Sequence, residues 1–257
     1  MEELTLEHED LFCLQRVQFP AEYCFSKLKV LTLLALRDQM HLSGFLKTLY
    51  NLEKLIVDSA LLEEELFSEE TFDTHVQLKH LTIFHCDYLK HIWKQNAELK
   101  PLIQNKHISS SLFHNLATLD VSRCSKLKSL MTVSMAKAMV QLKKMSLFDC
   151  GMMTQVVEND RDDSDDEIIT FNKLKILKLE YLDNLTSFCS GNHVFSFPVL
   201  EEVVVARCHQ MMIFSYGDST TPKLRSVREL PYSNEQLWEG NLNATITSLL
   251  TKEVRMN

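Results

Sequence analysis

The chain has 257 residues, of which 45% are hydrophobic and 24% are charged, and this composition is that of an ordinary globular protein. Its formal net charge of −8 gives no sign of the basic surface typical of nucleic-acid binding, and no apolar run is long enough to predict a transmembrane helix. Leucine occurs 41 times and glycine only 5 times, so the sequence lacks the glycine-rich phosphate-binding motifs and the nucleophile motif G-x-S-x-G. These counts favour a repeated structure over a catalytic one.

One frame of apolar residues, L-x-x-L-x-L-x-x-C-x-x-L-x-x-L, recurs along the chain. Five full copies begin at Leu78, Leu116, Leu142, Leu174 and Leu200. Three weaker copies begin at Leu28, Leu52 and Leu224, and a fragment begins at Leu4. The L-x-L pairs of successive copies are 24 to 27 residues apart, except for two separations of 38 and 32 residues. Most of these values lie in the range typical of leucine-rich repeats. We interpret segments 94–111 and 158–167 as insertions that account for the two long separations.

Each copy of the frame predicts a short strand followed by a turn. In the L-x-L pair, alternate side chains point to the same face of a strand, and each unit buries that face by stacking on the next unit. The sequence therefore predicts the α/β class: a curved leucine-rich repeat solenoid with short parallel strands on the concave face and irregular or short helical convex segments. We expect about eight irregular repeats over residues 1–230 and a C-terminal cap with a short amphipathic helix over 231–257. Residues 134–141 and 61–67 are the candidate convex helices.

The paired apolar residues of the frame should form one continuous core. The ten residues predicted to be buried together are Leu81, Ile83, Leu119, Val121, Met145, Leu147, Leu177, Leu179, Val203 and Val205.

The seven cysteines indicate a reducing environment. They are odd in number and include no C-x-x-C pair, which favours reduced thiols in a cytoplasmic protein, and the acidic N-terminus lacks the pattern of a secretory signal. Four cysteines occupy one column of the repeat and should be buried without a disulfide or a metal: Cys86, Cys124, Cys150 and Cys208. Neighbouring histidines such as His85 should point elsewhere, so we predict no zinc site. The acidic segment 158–167 fails the EF-hand spacing, and we interpret it as a solvated loop.

Three segments, 113–130, 171–179 and 197–203, carry a resemblance to a known family. In each, an aromatic residue is followed by two residues and then by the first leucine of the frame, and in the first segment a cysteine follows the strand. They resemble the irregular leucine-rich repeats of plant intracellular nucleotide-binding (NB-ARC) disease-resistance proteins of the coiled-coil class, and Trp238 to Ile246 is similar to the ending common in that group. The resemblance implies a cytoplasmic immune-receptor module that binds a pathogen-derived or guarded host protein in the defense response. It also implies a partner, an upstream nucleotide-binding switch domain that the module restrains. These residues contain no P-loop, so that domain is not part of this sequence.

The residues expected to bind this protein ligand lie between and just after the leucine pairs, on the concave face. They are Phe84, His85, Asp120, Arg123, Phe148, Asp149, Lys178, Tyr181 and Arg207. Their mixed charges favour a protein partner over nucleic acid or lipid, and exposed aromatic and arginine residues are common anchors in such surfaces. For the aromatic residues, the alternative is that neighbouring repeats half cover them.

No nucleophile and base occur together in a catalytic motif, so we predict that the chain is not an enzyme and needs no cofactor or metal. The alternative function is a substrate-recruiting leucine-rich repeat scaffold of a ubiquitin ligase, whose repeats also contain cysteine. Those repeats have Ile-Thr-Asp after the cysteine, and that pattern is missing here.

Overall fold

The structure is a computed structural model that describes residues 1–16, 25–37, 45–46, 48–67, 78–93, 111–159, 168–229 and 236–256. The insertions predicted at 94–111 and 158–167 lie outside these ranges except at their ends. In chain order, the described strands are β1 (Glu3–Glu7), β2 (Val30–Leu34), β3 (Lys54–Asp58), β4 (Glu65–Phe67), β5 (His80–Phe84), β6 (His91–Trp93), β7 (Thr118–Ser122), β8 (Met131–Thr132), β9 (Lys144–Phe148), β10 (Gln155–Glu158), β11 (Ile169–Thr170), β12 (Ile176–Glu180), β13 (Ser187–Cys189), β14 (Phe195–Ser196), β15 (Glu202–Ala206), β16 (Ser219–Thr220), β17 (Val227–Arg228) and β18 (Gln236–Leu237). The described helices are His8–Arg16, Ser111–His114, Val133–Ala138 and Leu242–Met256.

Ten of the described strands form one sheet, in the order β1-β2-β3-β5-β7-β9-β12-β15-β17-β18. Neighbours are parallel except β17 and β18, which are antiparallel. The first residue of each predicted L-x-L pair lies opposite its equivalent in the next repeat, as Leu81 lies opposite Leu119 and Leu119 opposite Met145. This register confirms the leucine-rich repeat solenoid.

The strands alternate between a core face and an outer face. In the five-residue strands from β2 to β12, the second and fourth residues are buried and the first, third and fifth are half-buried. All ten residues predicted to form the core are buried. Parallel strands cannot be joined by a tight hairpin, so the chain of each repeat must pass along the opposite side of the core before the next strand begins. The apolar positions after the strand face the same core and are buried, as at Leu89, Leu127 and Leu185.

A left-handed residue turns the chain toward the core after each of seven strands. Ala35, Ser59, His85, Arg123, Asp149, Tyr181 and Arg207 all have φ between 51° and 57°. The backbone N–H of Arg123, for example, donates to the carbonyl of Phe148 in the next repeat, at 2.8 Å. Non-glycine residues rarely adopt this conformation, and at six of these residues, from Ala35 to Tyr181, such a ladder hydrogen bond to the next repeat holds the backbone in it. The next residue then points inward, and in four repeats it is the predicted cysteine.

Short strands on the far side of the core replace part of the irregular convex structure that we expected. They form three small sheets, β4-β6, β13-β10-β8 and β11-β14-β16. The helix predicted over 61–67 is wrong, because Glu65–Phe67 is the strand β4 and pairs with β6. Leu66 and Phe67 are buried there, so packing and strand pairing override the helix propensity of the glutamates. The second predicted helix is present but shorter, at Val133–Ala138.

The C-terminal helix Leu242–Met256 is attached to the last turns of the solenoid by side-chain hydrogen bonds, chiefly those of Asn243, and by apolar packing. The Oδ1 atom of Asn243 accepts hydrogen bonds from the backbone N–H groups of Phe214 and Ser215, and its Nδ2 donates to the carbonyl of Ser215. Leu242, Ile246 and Leu249 are buried in the core. In the described part of the chain, the helices are too short or too polar to cross a membrane.

Candidate functional site: the concave face and its rim

The outer residues of the main sheet form a continuous surface, which we call the concave face. It consists of the first, third and fifth residues of each strand, and the register aligns them into columns across the repeats. Of the predicted binding residues, Asp120 and Lys178 lie in the third column and Phe84 and Phe148 in the fifth. At β15 this face is covered, because Val204 and Ala206 are fully buried.

The seven left-handed residues form a second row, which we call the rim, at the carboxyl ends of the strands. It contains the other five predicted binding residues, His85, Arg123, Asp149, Tyr181 and Arg207, and all five are exposed. The structure therefore brings all nine predicted residues to one surface. The sequence did not reveal that the rim residues share a left-handed backbone, since none of them is glycine.

Four polar side chains are linked at the rim and in the adjoining fifth column, to which Asp58 belongs. Nδ1 of His85 lies 3.2 Å from Oδ1 of Asp58, and a guanidinium nitrogen of Arg123 lies 3.1 Å from Nε2 of His85. Because arginine can only donate, Nε2 accepts this bond and the proton of a neutral imidazole is on Nδ1. Nε of Arg123 is 4.0 Å from Oδ2 of Asp149, and both of these side chains are 57% exposed. Contacts this exposed contribute little to stability, so the charges are accessible to a partner.

The aromatic residues differ in their exposure. Phe84 and Phe148 are half-buried, as the alternative interpretation expected, whereas Tyr181 is 41% exposed. The rings of Phe148 and Tyr181 are 5.1 Å apart, and the guanidinium of Arg207 lies 5.8 Å from the Tyr181 ring. A cation over an aromatic face is attracted by the ring quadrupole. These three side chains therefore form a prearranged cluster where the fifth column meets the C-terminal half of the rim.

Ion pairs already engage part of the concave face. Nζ of Lys144 is 2.7 Å from Asp120, and Glu202 lies 3.5 Å from Lys178 and 2.7 Å from Arg228. Two of the predicted binding residues, Asp120 and Lys178, are thus paired within the chain.

Glu180 belongs to the same surface, although it is not among the nine residues that the sequence predicted to bind the ligand. It lies in the fifth column between Phe148 and Ala206. Burial raises the pKa of its carboxyl group, and the positive charge of Lys178 opposes this shift. Among the described residues, no lysine or arginine nitrogen lies within 4.0 Å of this carboxylate, so it is a half-buried acid without an ion-pair partner. Its place on the outer face of β12 was visible in the repeat frame, but its partial burial was not.

The cysteine column lies inside the core, as predicted. Cys86, Cys124, Cys150 and Cys208 are buried, and the thiols of Cys86 and Cys124 donate to the carbonyls of Phe84 and Ser122. Hydrogen bonding to the thiols of Cys150 and Cys86, followed by burial, raises the pKa of Cys124 above its ordinary value. A protonated buried thiol is a poor nucleophile and metal ligand. Within the described ranges, no three His, Cys, Asp or Glu side chains are grouped so that they could hold a metal ion.

Comparison with known proteins agrees with this architecture. The family described as plant disease resistance protein RPS2-like, leucine-rich repeats, matches the sequence over residues 1–151 and 99–234. These overlapping matches include every strand of the main sheet up to β17. No curated protein gives a significant match.

Proposed function

The chain belongs to the leucine-rich repeat family of plant RPS2-like disease resistance proteins, and from this premise we propose that it recognises protein ligands for an intracellular immune receptor. In this proposal the ligand is a pathogen-derived or host protein that binds the concave face and the rim. The module also restrains the receptor's nucleotide-binding switch, which lies outside these residues. The chain acts in the cytoplasm, by binding rather than by catalysis. The family relationship gives no support to the ubiquitin-ligase scaffold.

The observation that carries the proposal is the rim. Its side chains range from alanine to arginine on one repeated backbone conformation, so their identities are free of the packing that fixes the core. The exposed members include Arg123, Tyr181 and Arg207, and arginine and tyrosine are enriched among the residues that dominate protein interfaces. The site is therefore the nine predicted residues, with Glu180 added.

A charge-reversal experiment tests the site. The double variant Arg123→Glu and Arg207→Glu is compared with the wild type for binding to a panel of purified secreted pathogen proteins and plant proteins. The matched control is Lys27→Glu with Lys223→Glu, which makes the same change in net charge at two exposed residues in the turns that precede the strands.

We expect at least one protein of the panel to bind, with binding lost in the rim variant and kept in the control. Both variants should keep their melting temperature, because substitutions at exposed sites change stability by about 0.5 kcal/mol or less. Equal binding by the wild type and both variants would show that recognition does not use the rim. Restraint is tested separately, by adding the purified chain to the receptor's nucleotide-binding part and measuring nucleotide exchange, which should slow.

A further inference from the structure

A slot interrupts the row of side chains in the fifth column of the concave face. Phe84, Ser122 and Phe148 lie directly opposite one another on β5, β7 and β9. Adjacent strands are about 4.8 Å apart, so the two phenylalanines are attached about 10 Å apart with only a serine between them. After the contact radius of each ring is subtracted, about 6 Å remains, which is enough for one inserted side chain.

The walls of this slot are held apart by other contacts. The ring of Phe84 packs edge-on against His85 with centroids 5.4 Å apart, and that of Phe148 packs against Tyr181 at 5.1 Å. Within the described structure the rings of Phe84 and Phe148 make no contact with each other. The slot therefore has aromatic walls that do not close over Ser122.

The floor and the neighbouring column are polar. Ser122 is half-buried, and among the described residues its hydroxyl has no hydrogen-bond partner. Asp120, two residues earlier on β7, is held by Lys144 at 2.7 Å. An apolar side chain with a polar tip, such as tyrosine or tryptophan, fits walls and a floor of this kind.

The carboxylate of Glu180, near the slot, indicates which kind of ligand residue should lie next to the aromatic anchor. Glu180 lies two strands from Ser122 in the same column, about 10 Å away. It has no ion-pair partner among the described residues, while the nearby Lys178 is engaged by Glu202 at 3.5 Å. A basic group of a ligand would meet this carboxylate. In a polyproline II segment, which has three residues per turn and rises about 3.1 Å per residue, side chains three residues apart lie on the same side about 9 Å apart.

We propose that the slot at Ser122 receives an aromatic side chain of the protein ligand, and that a lysine or arginine three residues away along a polyproline II segment pairs with Glu180. This inference rests on the proposed function, because it specifies the ligand chemistry of the same concave face. The aromatic ring packs between Phe84 and Phe148, and its polar tip bonds the hydroxyl of Ser122. The basic group replaces water at a carboxylate that is already partly desolvated.

A peptide selection tests this. Random twelve-residue peptides displayed on phage are selected on the full wild-type chain, and a synthetic peptide of the enriched sequence is measured by fluorescence anisotropy. Ser122→Phe fills the slot. Thr32→Phe is the matched control, since it puts the same ring at a half-buried outer position of β2, three strands away. Circular dichroism melting shows whether each variant is folded.

We expect enriched peptides to contain an aromatic residue and a basic residue three positions apart. Ser122→Phe should weaken binding about tenfold or more, the loss of one dominant anchor, and Thr32→Phe should change it by less than about twofold. Glu180→Gln should remove the preference for the basic residue and keep that for the aromatic one.

The slot is wrong if no peptide is enriched, if the enriched peptides lack the aromatic residue, or if the folded Ser122→Phe variant binds as the wild type does. The proposed function fails separately. If the peptides lose binding to the Arg123→Glu, Arg207→Glu variant but not to Ser122→Phe, recognition by the concave face stands and only the slot is rejected. Binding that is insensitive to every one of these variants rejects both.

Discussion

Replacing Ala35, the residue directly after β2, with glycine should stabilise this protein, although glycine within a strand usually lowers stability. Ala35 has φ = 51°, its side chain is exposed, and its backbone N–H donates to the carbonyl of Asp58 at 3.0 Å. An L-residue in this conformation costs about 1–2 kcal/mol relative to glycine. Glycine in turn loses about 0.4–1 kcal/mol through the greater freedom of the unfolded chain. The difference lies between about 0 and 1.6 kcal/mol, so we expect a net gain of about 0.8 kcal/mol, and almost no packing is lost.

The control lies three residues earlier. Thr32 is in the middle of β2 with an extended backbone, and Thr32→Gly should cost about 1 kcal/mol because a strand residue gains nothing from glycine. Ala35→Val should also destabilise, since a β-branched residue at positive φ is strained. Urea unfolding followed by circular dichroism gives the free energies, and the intrinsic fluorescence of Trp93 and Trp238 checks that one transition is observed.

The sign of the Ala35→Gly effect decides the matter. If Ala35→Gly destabilises the chain as much as Thr32→Gly does, the left-handed conformation does not strain the fold, and the account of the turn after each strand is wrong.

Four further predictions follow from the described contacts. Leu119→Ala should cost about 2–5 kcal/mol in urea unfolding, because Leu119 is fully buried, and a cost below about 1 kcal/mol would contradict its place in the core. Asn243→Ala removes three hydrogen bonds to Phe214 and Ser215 and should therefore speed amide hydrogen exchange in Leu242–Met256. Thr251→Ala, which removes a hydrogen bond within the same helix, should leave this exchange nearly unchanged. In the native protein a thiol reagent should modify the exposed Cys13 and leave the buried Cys86, Cys124 and Cys150 protected, and stoichiometric zinc in the purified protein would contradict the prediction of metal-free thiols. Burial raises the pKa of Glu180 in the folded state, so ionisation of this carboxyl group opposes folding above that pKa. Glu180→Gln should therefore raise the melting temperature near pH 7 and lose this advantage below about pH 4, where the glutamate is protonated. An equal advantage at both pH values would contradict a raised pKa at Glu180.

The main sheet and its core could be predicted because the apolar period is repeated many times. Each L-x-L pair is short, but Leu81, Leu119 and Leu177 recur in phase, and only stacking buries them together. The far-side strands could not be predicted in this way. They have two to four residues each, and a pair of adjacent apolar residues such as Leu66 and Phe67 fits a strand, a turn or a helix equally well.

The site was predicted as a set of residues, but its geometry was not. The repeat frame placed Arg123, Tyr181 and Arg207 outside the core, which is a matter of strand periodicity. It did not reveal the left-handed backbone, because glycine is the usual sequence signal for that conformation and no rim residue is glycine. Partial burial of Glu180 depends on what its neighbours cover, and that is decided across repeats rather than within one.

The rim explains how this architecture separates stability from recognition. Ala35 and Arg207 have the same φ of 51° although one side chain is a methyl group and the other a long cation. At Ala35 the backbone is fixed by the hydrogen bond from its N–H to the carbonyl of Asp58 in the next repeat, at 3.0 Å, and at both positions the residue that follows, Leu36 or Cys208, is buried. Neither constraint involves the rim side chain. A substitution at the rim therefore changes the surface presented to a ligand while the core that determines the fold stays intact, and the strain is similar for any residue without a branched β-carbon.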